Sequence, residues 1–146
     1  MSIANYLTHE HRACDELFAQ AEQAASRADW DAAKDAFEHF AGETLLHFKK
    51  EEEELFPAFE SHTGNTQGPT MVMRYEHDQV RGLLGKMAEA LEKQDKDAFL
   101  SLSESMMILL QQHNMKEEQM LYAMCDRLLP TELKERTLEK MQATEL

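Results

Sequence analysis

The sequence predicts an all-α protein, an antiparallel up-down-up-down four-helix bundle closed by a short C-terminal helix, and three observations carry that expectation. Apolar residues recur at spacings of three and four nearly throughout, as in Leu17, Phe18, Ala21, Ala24 and Ala25, or Met106, Leu109 and Leu110. No run alternates cleanly between apolar and polar as a half-buried strand would. The breaks are few and mostly short, so consecutive helices must turn back on one another.

The first helix is expected from about Ile3 to Arg27 and ends at the Ala28-Asp29 turn. The second runs from about Trp30 to Glu60, with the Asp29 side chain placed to accept an orphan amide hydrogen at its start. A polar stretch, His62-Thr63-Gly64-Asn65-Thr66-Gln67-Gly68-Pro69, then interrupts the pattern. The third helix follows from about Thr70 to Lys93 and the fourth from about Lys96 to Leu128, the latter capped by Asp95. After Leu129-Pro130, Thr131 is expected to cap a short helix carrying Leu133, Leu138 and Met141. A chain of 146 residues with 28 acidic and 15 basic side chains suits one domain, residues 1–146, with a formal charge of -13. That charge opposes nucleic acid and anionic lipid as partners. Neither a signal-like apolar segment nor an 18-residue apolar run occurs, so no membrane role and a cytoplasmic location are expected. Cys14 and Cys125 form no CxxC and fall in apolar register, which marks them as packing residues.

The chemistry lies in an internal repeat. Glu10-His11 recurs 66 positions later as Glu76-His77, and His47-x-x-x-Glu51-Glu52 recurs at the same offset as His113-x-x-x-Glu117-Glu118. A single HxxxE means little in an acidic chain; its repetition in register is the signal. The midpoints of the pairs His11/His47 and His77/His113 are the turn aspartates Asp29 and Asp95. Each pair is therefore level across its hairpin, about 27 Å from the turn at 1.5 Å per residue, toward the end holding the polar stretch.

Residues four apart on a helix share a face, so His47 with Glu51 and His113 with Glu117 can turn an imidazole and a carboxylate to the bundle axis. His11 and His77 add one imidazole each. Four imidazoles and two buried carboxylates cost several kcal/mol per unpaired ion unless a cation cluster neutralises them. With both carboxylates bridging, each of two metals receives two nitrogens and two oxygens, and a solvent-derived bridge makes five donors. That donor mix with open positions suits iron, and manganese or zinc less well. Glu52 and Glu118, rotated by roughly 100°, are expected at the flank or facing away. Glu53 and Glu54 are expected on a solvated face. His9 is expected at the surface and His62 in the loop. His39 lies about 12 Å along the helix from His47 and is excluded from the cluster. Phe48, Phe56, Tyr122 and the methionines are expected to be ordinary packing, apart from Met73, one turn before His77, which is expected beside the open metal position.

These motifs, HFKKEEEELFP at 47–57, HNMKEEQMLY at 113–122 and EH on the first and third helices, together with GPTMVMRYEH at 68–77, resemble the hemerythrin-like, or HHE cation-binding, family over about positions 8–129. The resemblance implies a carboxylate-bridged di-iron centre with His11, His47, Glu51, His77, His113 and Glu117 as ligands and an oxo or hydroxo bridge. Oxygen-carrying hemerythrins have a fifth histidine where this chain has Met73, and an aspartate with one more residue of spacing as the last carboxylate. Unequal irons are therefore not expected, and the six-ligand set is similar to that of iron-sulfur-cluster repair proteins and of iron or oxygen sensors. The function implied is a non-haem di-iron protein binding or sensing a diatomic gas, O2 or NO, or iron. The alternatives are a metal-dependent regulatory module and a peroxide-reducing or cluster-repair enzyme.

Overall fold

The computed structural model describes residues 1–146. Helix α1, Ile3–Ser26, begins at Ser2, whose hydroxyl oxygen accepts the Asn5 amide at 2.9 Å. Ala28 takes a left-handed φ of 55° to reverse the chain. Asp29 then caps α2, Trp30–Lys50, by accepting the Ala32 amide. After a five-residue π-helical turn, Glu51–Leu55, the same rod continues as α3, Phe56–Thr63. Gly64, at φ 72°, ends it in the left-handed region that a residue without Cβ adopts at little cost. Helix α4, Pro69–Glu92, opens with a proline whose missing amide is one of the orphans anyway. Gln94 at φ 53° and the Asp95 cap on Ala98 repeat the first turn's chemistry. Helix α5, Lys96–Lys116, passes through a second π turn, Glu117–Leu121, into α6, Tyr122–Leu128. Helix α7, Thr131–Ala143, closes the chain.

The four expected rods and the short C-terminal helix are therefore present, with three local differences. The second rod runs on through Thr63, so His62 lies in its last turn and not in the loop where the polar stretch placed it. Thr131 is the first residue of α7 rather than its cap, and Pro130 holds the cap position without a side-chain hydrogen bond. The second and fourth rods each contain a π turn that begins at the HxxxE glutamate. Each π turn closes with an amide reaching five residues back, Phe56 to Glu51 and Tyr122 to Glu117. The extra residue rephases the helix. It keeps Leu55, Phe56 and Phe59 in one rod, and Leu121, Tyr122 and Cys125 in the other, buried below the carboxylates.

Two apolar clusters fill the bundle, and a polar layer separates them. The larger lies toward the turn aspartates and includes Phe18, Phe37, Phe40, Phe99 and Met106. The smaller lies at the opposite end, where Ile3, Leu7, Phe59 and Leu129 pack with Leu138 and Met141 of α7. The Asp126 carboxylate accepts both the Ile3 and Ala4 amides and pins the start of α1 to α6. No helix is long and apolar enough to cross a membrane.

Candidate metal centre

The polar layer gathers His11, His47, Glu51, His77, His113 and Glu117, each at most 4% exposed. Glu51, His77, His113 and Glu117 offer donor atoms within 4.8 Å of one another, and His11, His47 and Glu117 form a second group sharing Glu117. Across the layer, the Nε2 atoms of His47 and His77 lie 3.3 and 3.1 Å from Glu51 Oε1, and those of His11 and His113 lie 3.1 and 3.2 Å from Glu117 Oε1. Each carboxylate thus faces one imidazole from each hairpin.

Four of the inward atoms, Glu51 Oε1, Glu117 Oε2 and the Nε2 atoms of His77 and His113, are buried and make no aligned hydrogen bond, although the two nitrogens lie within 3.2 Å of a carboxylate oxygen. Buried polar atoms normally find partners, because leaving one unpaired costs about 1–3 kcal/mol. Convergent nitrogen and carboxylate donors in that condition fit a cation between them. Electrostatics agree with this. Burial pushes Glu51 above the usual carboxylate range, and the Glu117 charge adds to the push. Glu117 is buried as deeply, yet the His113 imidazolium and hydrogen bonds within the cluster hold it well below that range. Burial opposes the charge on His113, but the Glu117 and Glu51 carboxylates outweigh it and raise the imidazole to about 9. Without metal, the cluster retains protons where a cation would bind.

All four imidazoles also carry a carboxylate on the outer nitrogen. Nδ1 of His47 meets Glu10 at 2.9 Å, that of His77 meets Glu52 at 2.6 Å, that of His113 meets Glu76 at 2.9 Å and that of His11 meets Glu118 at 2.7 Å. Glu52 and Glu118, expected at the flank or facing away, are at the flank as histidine partners. Their signal was already in the chain, since all four acids recur in the same register as the histidines.

Tyr122 had no such signal, because its register mate is Phe56. Its hydroxyl donates to Glu51 Oε2 at 2.6 Å and Glu117 Oε1 at 2.9 Å, and lies 3.1 Å from His11 Nε2. Burial and the two carboxylate charges hold its pKa well above the ordinary phenol value, so it stays protonated. Phe56 in the other half stacks near His77 at 5.6 Å, as Tyr122 stacks near His11 at 5.6 Å. Phe48 lies flat on His77 at 3.8 Å, its register mate is the polar Asn114, and both line a small cleft with Thr44 beside His11 and His47. The donor set is symmetric and its walls are not.

The remaining histidines lie elsewhere. His39 pairs loosely with Glu43 at 3.9 Å on an exposed face, and His9 and His62 are exposed. Glu53 is exposed and Glu54 half-buried. Met73 is 3% exposed within the smaller apolar cluster beside Phe56 and Leu121. Burial raises the thiols of Cys14 and Cys125 to about 11 and about 12, which agrees with packing roles.

A family model, the hemerythrin HHE cation-binding domain, matches residues 2–125. Neither the comparison with curated proteins nor that with solved structures gave a match. The match and the buried His/Glu group together point to a metal-binding site.

Proposed function

From the premise that the chain belongs to the hemerythrin HHE cation-binding family, we propose that it is a non-haem di-iron protein that binds or senses a diatomic gas, O2 or NO. His11, His47, Glu51, His77, His113 and Glu117 are the side chains that would hold the metal. The observation that carries this reading is the set of buried donor atoms, four of them without an aligned hydrogen bond, facing one another across the two hairpins. When bound, the iron pair supplies electrons and coordination positions for a small ligand.

The chain's own residues do the rest. The four imidazoles present Nε2 inward because Nδ1 is occupied by a carboxylate. Apolar clusters above and below the layer restrict water. Tyr122 keeps one O–H inside the site as a hydrogen-bond donor. A small cleft lined by His11, Thr44, His47, Phe48 and Asn114 lies beside the cluster and has room for at least one water-sized molecule.

The test is anaerobic loading with ferrous iron, followed by optical spectra after separate exposure to O2 and to NO. The expected result is two irons per chain and a new band with at least one gas. No iron uptake overturns the metal reading, and two irons with no spectral change under either gas overturns the gas reading. A second reading, a module whose stability reports iron occupancy to a partner, is favoured by one feature: the layer draws a donor from every long rod, so filling it acts on the whole bundle.

A further inference from the structure

The outer carboxylates form a closed circuit around the bundle. Glu10 on α1 accepts from His47 on α2, and Glu52, just after α2, accepts from His77 on α4. Glu76 on α4 accepts from His113 on α5, and Glu118, just after α5, accepts from His11 on α1. Every rod gives one imidazole to the centre and one carboxylate to the next rod's imidazole.

Each carboxylate in turn holds one cation through its second oxygen: Lys50 on Glu10, Arg81 on Glu52, Lys116 on Glu76 and Arg12 on Glu118. The two lysines obey the 66-residue register and the two arginines do not. Arg12 falls on Asp78 and Arg81 on Asp15. The pairs Arg12-Asp15 and Asp78-Arg81 run in opposite order and still deliver a guanidinium to the same place. A chain that reaches one arrangement by two sequence routes points to the arrangement as the thing that matters.

We propose that Glu10, Glu52, Glu76 and Glu118 are positioning residues that set both the iron affinity and the redox potential of the centre, with the four cations as their counterweights. The proposal rests on the di-iron reading. A carboxylate on Nδ1–H fixes the ring's orientation and makes Nε2 a stronger donor to a metal. Stronger donation favours the more highly charged metal, so the intact ring keeps the potential low. Replacing a carboxylate by an amide weakens the donor and adds one unit of positive charge nearby. Removing a cation has the opposite electrostatic sign.

The experiment compares Glu76→Gln, Glu118→Gln and Lys116→Met with the wild type, by ferrous-iron competition against a chelator and by spectroelectrochemical titration. Lys116 is 45% exposed, so its replacement is expected to leave the fold intact; circular dichroism of the metal-free variants checks all three. The two glutamine variants are expected to bind iron roughly 10–100-fold more weakly and to titrate at a higher potential. Lys116→Met is expected to titrate at a lower potential. A purely structural role would weaken iron binding in all three with no opposite movement of potential, and that result overturns the proposal. Wild-type affinity and potential in both glutamine variants overturns it as well, leaving the metal site standing. A wild-type protein that takes up no iron overturns the metal site and the ring together.

Discussion

Replacing Tyr122 by phenylalanine removes one oxygen atom from the middle of the site. The ring itself is fully buried and its register mate is already a phenylalanine, so packing changes little. What is lost is a donor to Glu51 at 2.6 Å and Glu117 at 2.9 Å in a layer that otherwise leaves carboxylate oxygens unpaired. A hydrogen bond to a charged group contributes about 1.5–3 kcal/mol. For a chain near 150 residues each kcal/mol moves the midpoint by about 2–4 °C, so metal-free Tyr122→Phe should melt roughly 3–12 °C below the metal-free wild type. Added divalent metal should shrink that difference, because a cation replaces the phenol as the partner of the same oxygens. Thermal unfolding followed by circular dichroism, with and without metal, measures both quantities. A midpoint equal to the wild type's in the metal-free form would refute the assignment of the hydroxyl to the carboxylates.

Four further outcomes follow from the same geometry. Glu51→Ala and Glu117→Ala should each lower iron stoichiometry, measured by metal analysis after gel filtration; full iron content in both would sink the ligand set. Burial pushes Glu10 and Glu52 up, but hydrogen bonds from His47 and Lys50 in one case and from His77 and Arg81 in the other bring each down to about 2. A depressed carboxylate stabilises the fold above its unfolded value of 4.5, and that contribution disappears as pH falls toward 2. Denaturant titrations of metal-free protein should therefore lose midpoint across that window, and Glu10→Gln should flatten the loss. The thiols behave in the opposite sense. With Cys14 and Cys125 raised to about 11 and about 12, stability should decline as pH rises above their ordinary 9, where the unfolded thiols ionise first. Near neutral pH, Cys125 should react with a thiol reagent only on unfolding, and fast labelling of the folded protein would contradict its burial.

The repeat made much of the site legible. Because His11, His47, His77 and His113 share one interval and the turn aspartates sit at both midpoints, helical rise alone puts them at one height. Glu52 and Glu118 were harder, because a rotation of roughly 100° from the inward glutamate describes a direction and not a neighbour. Only the adjacent rod supplies the imidazole that the direction meets. Tyr122 was masked by its mate Phe56, since a register argument assigns like roles to like positions. The arginines were invisible for the converse reason: Arg12 and Arg81 occupy unlike positions and reach like partners.

By itself, the sequence determined the helical period, the caps at Asp29 and Asp95, the fold back of each hairpin and the height of the six inward side chains, because these are local properties of spacing along a rod. The tertiary structure decided which rod lies next to which imidazole. It also decided that each HxxxE glutamate opens a π turn, and that a phenol reaches the carboxylates from one side only. Those outcomes depend on contacts between residues up to 111 positions apart. A hydrogen bond at 3 Å is set by the packing of two helices, and no periodicity within either one specifies it.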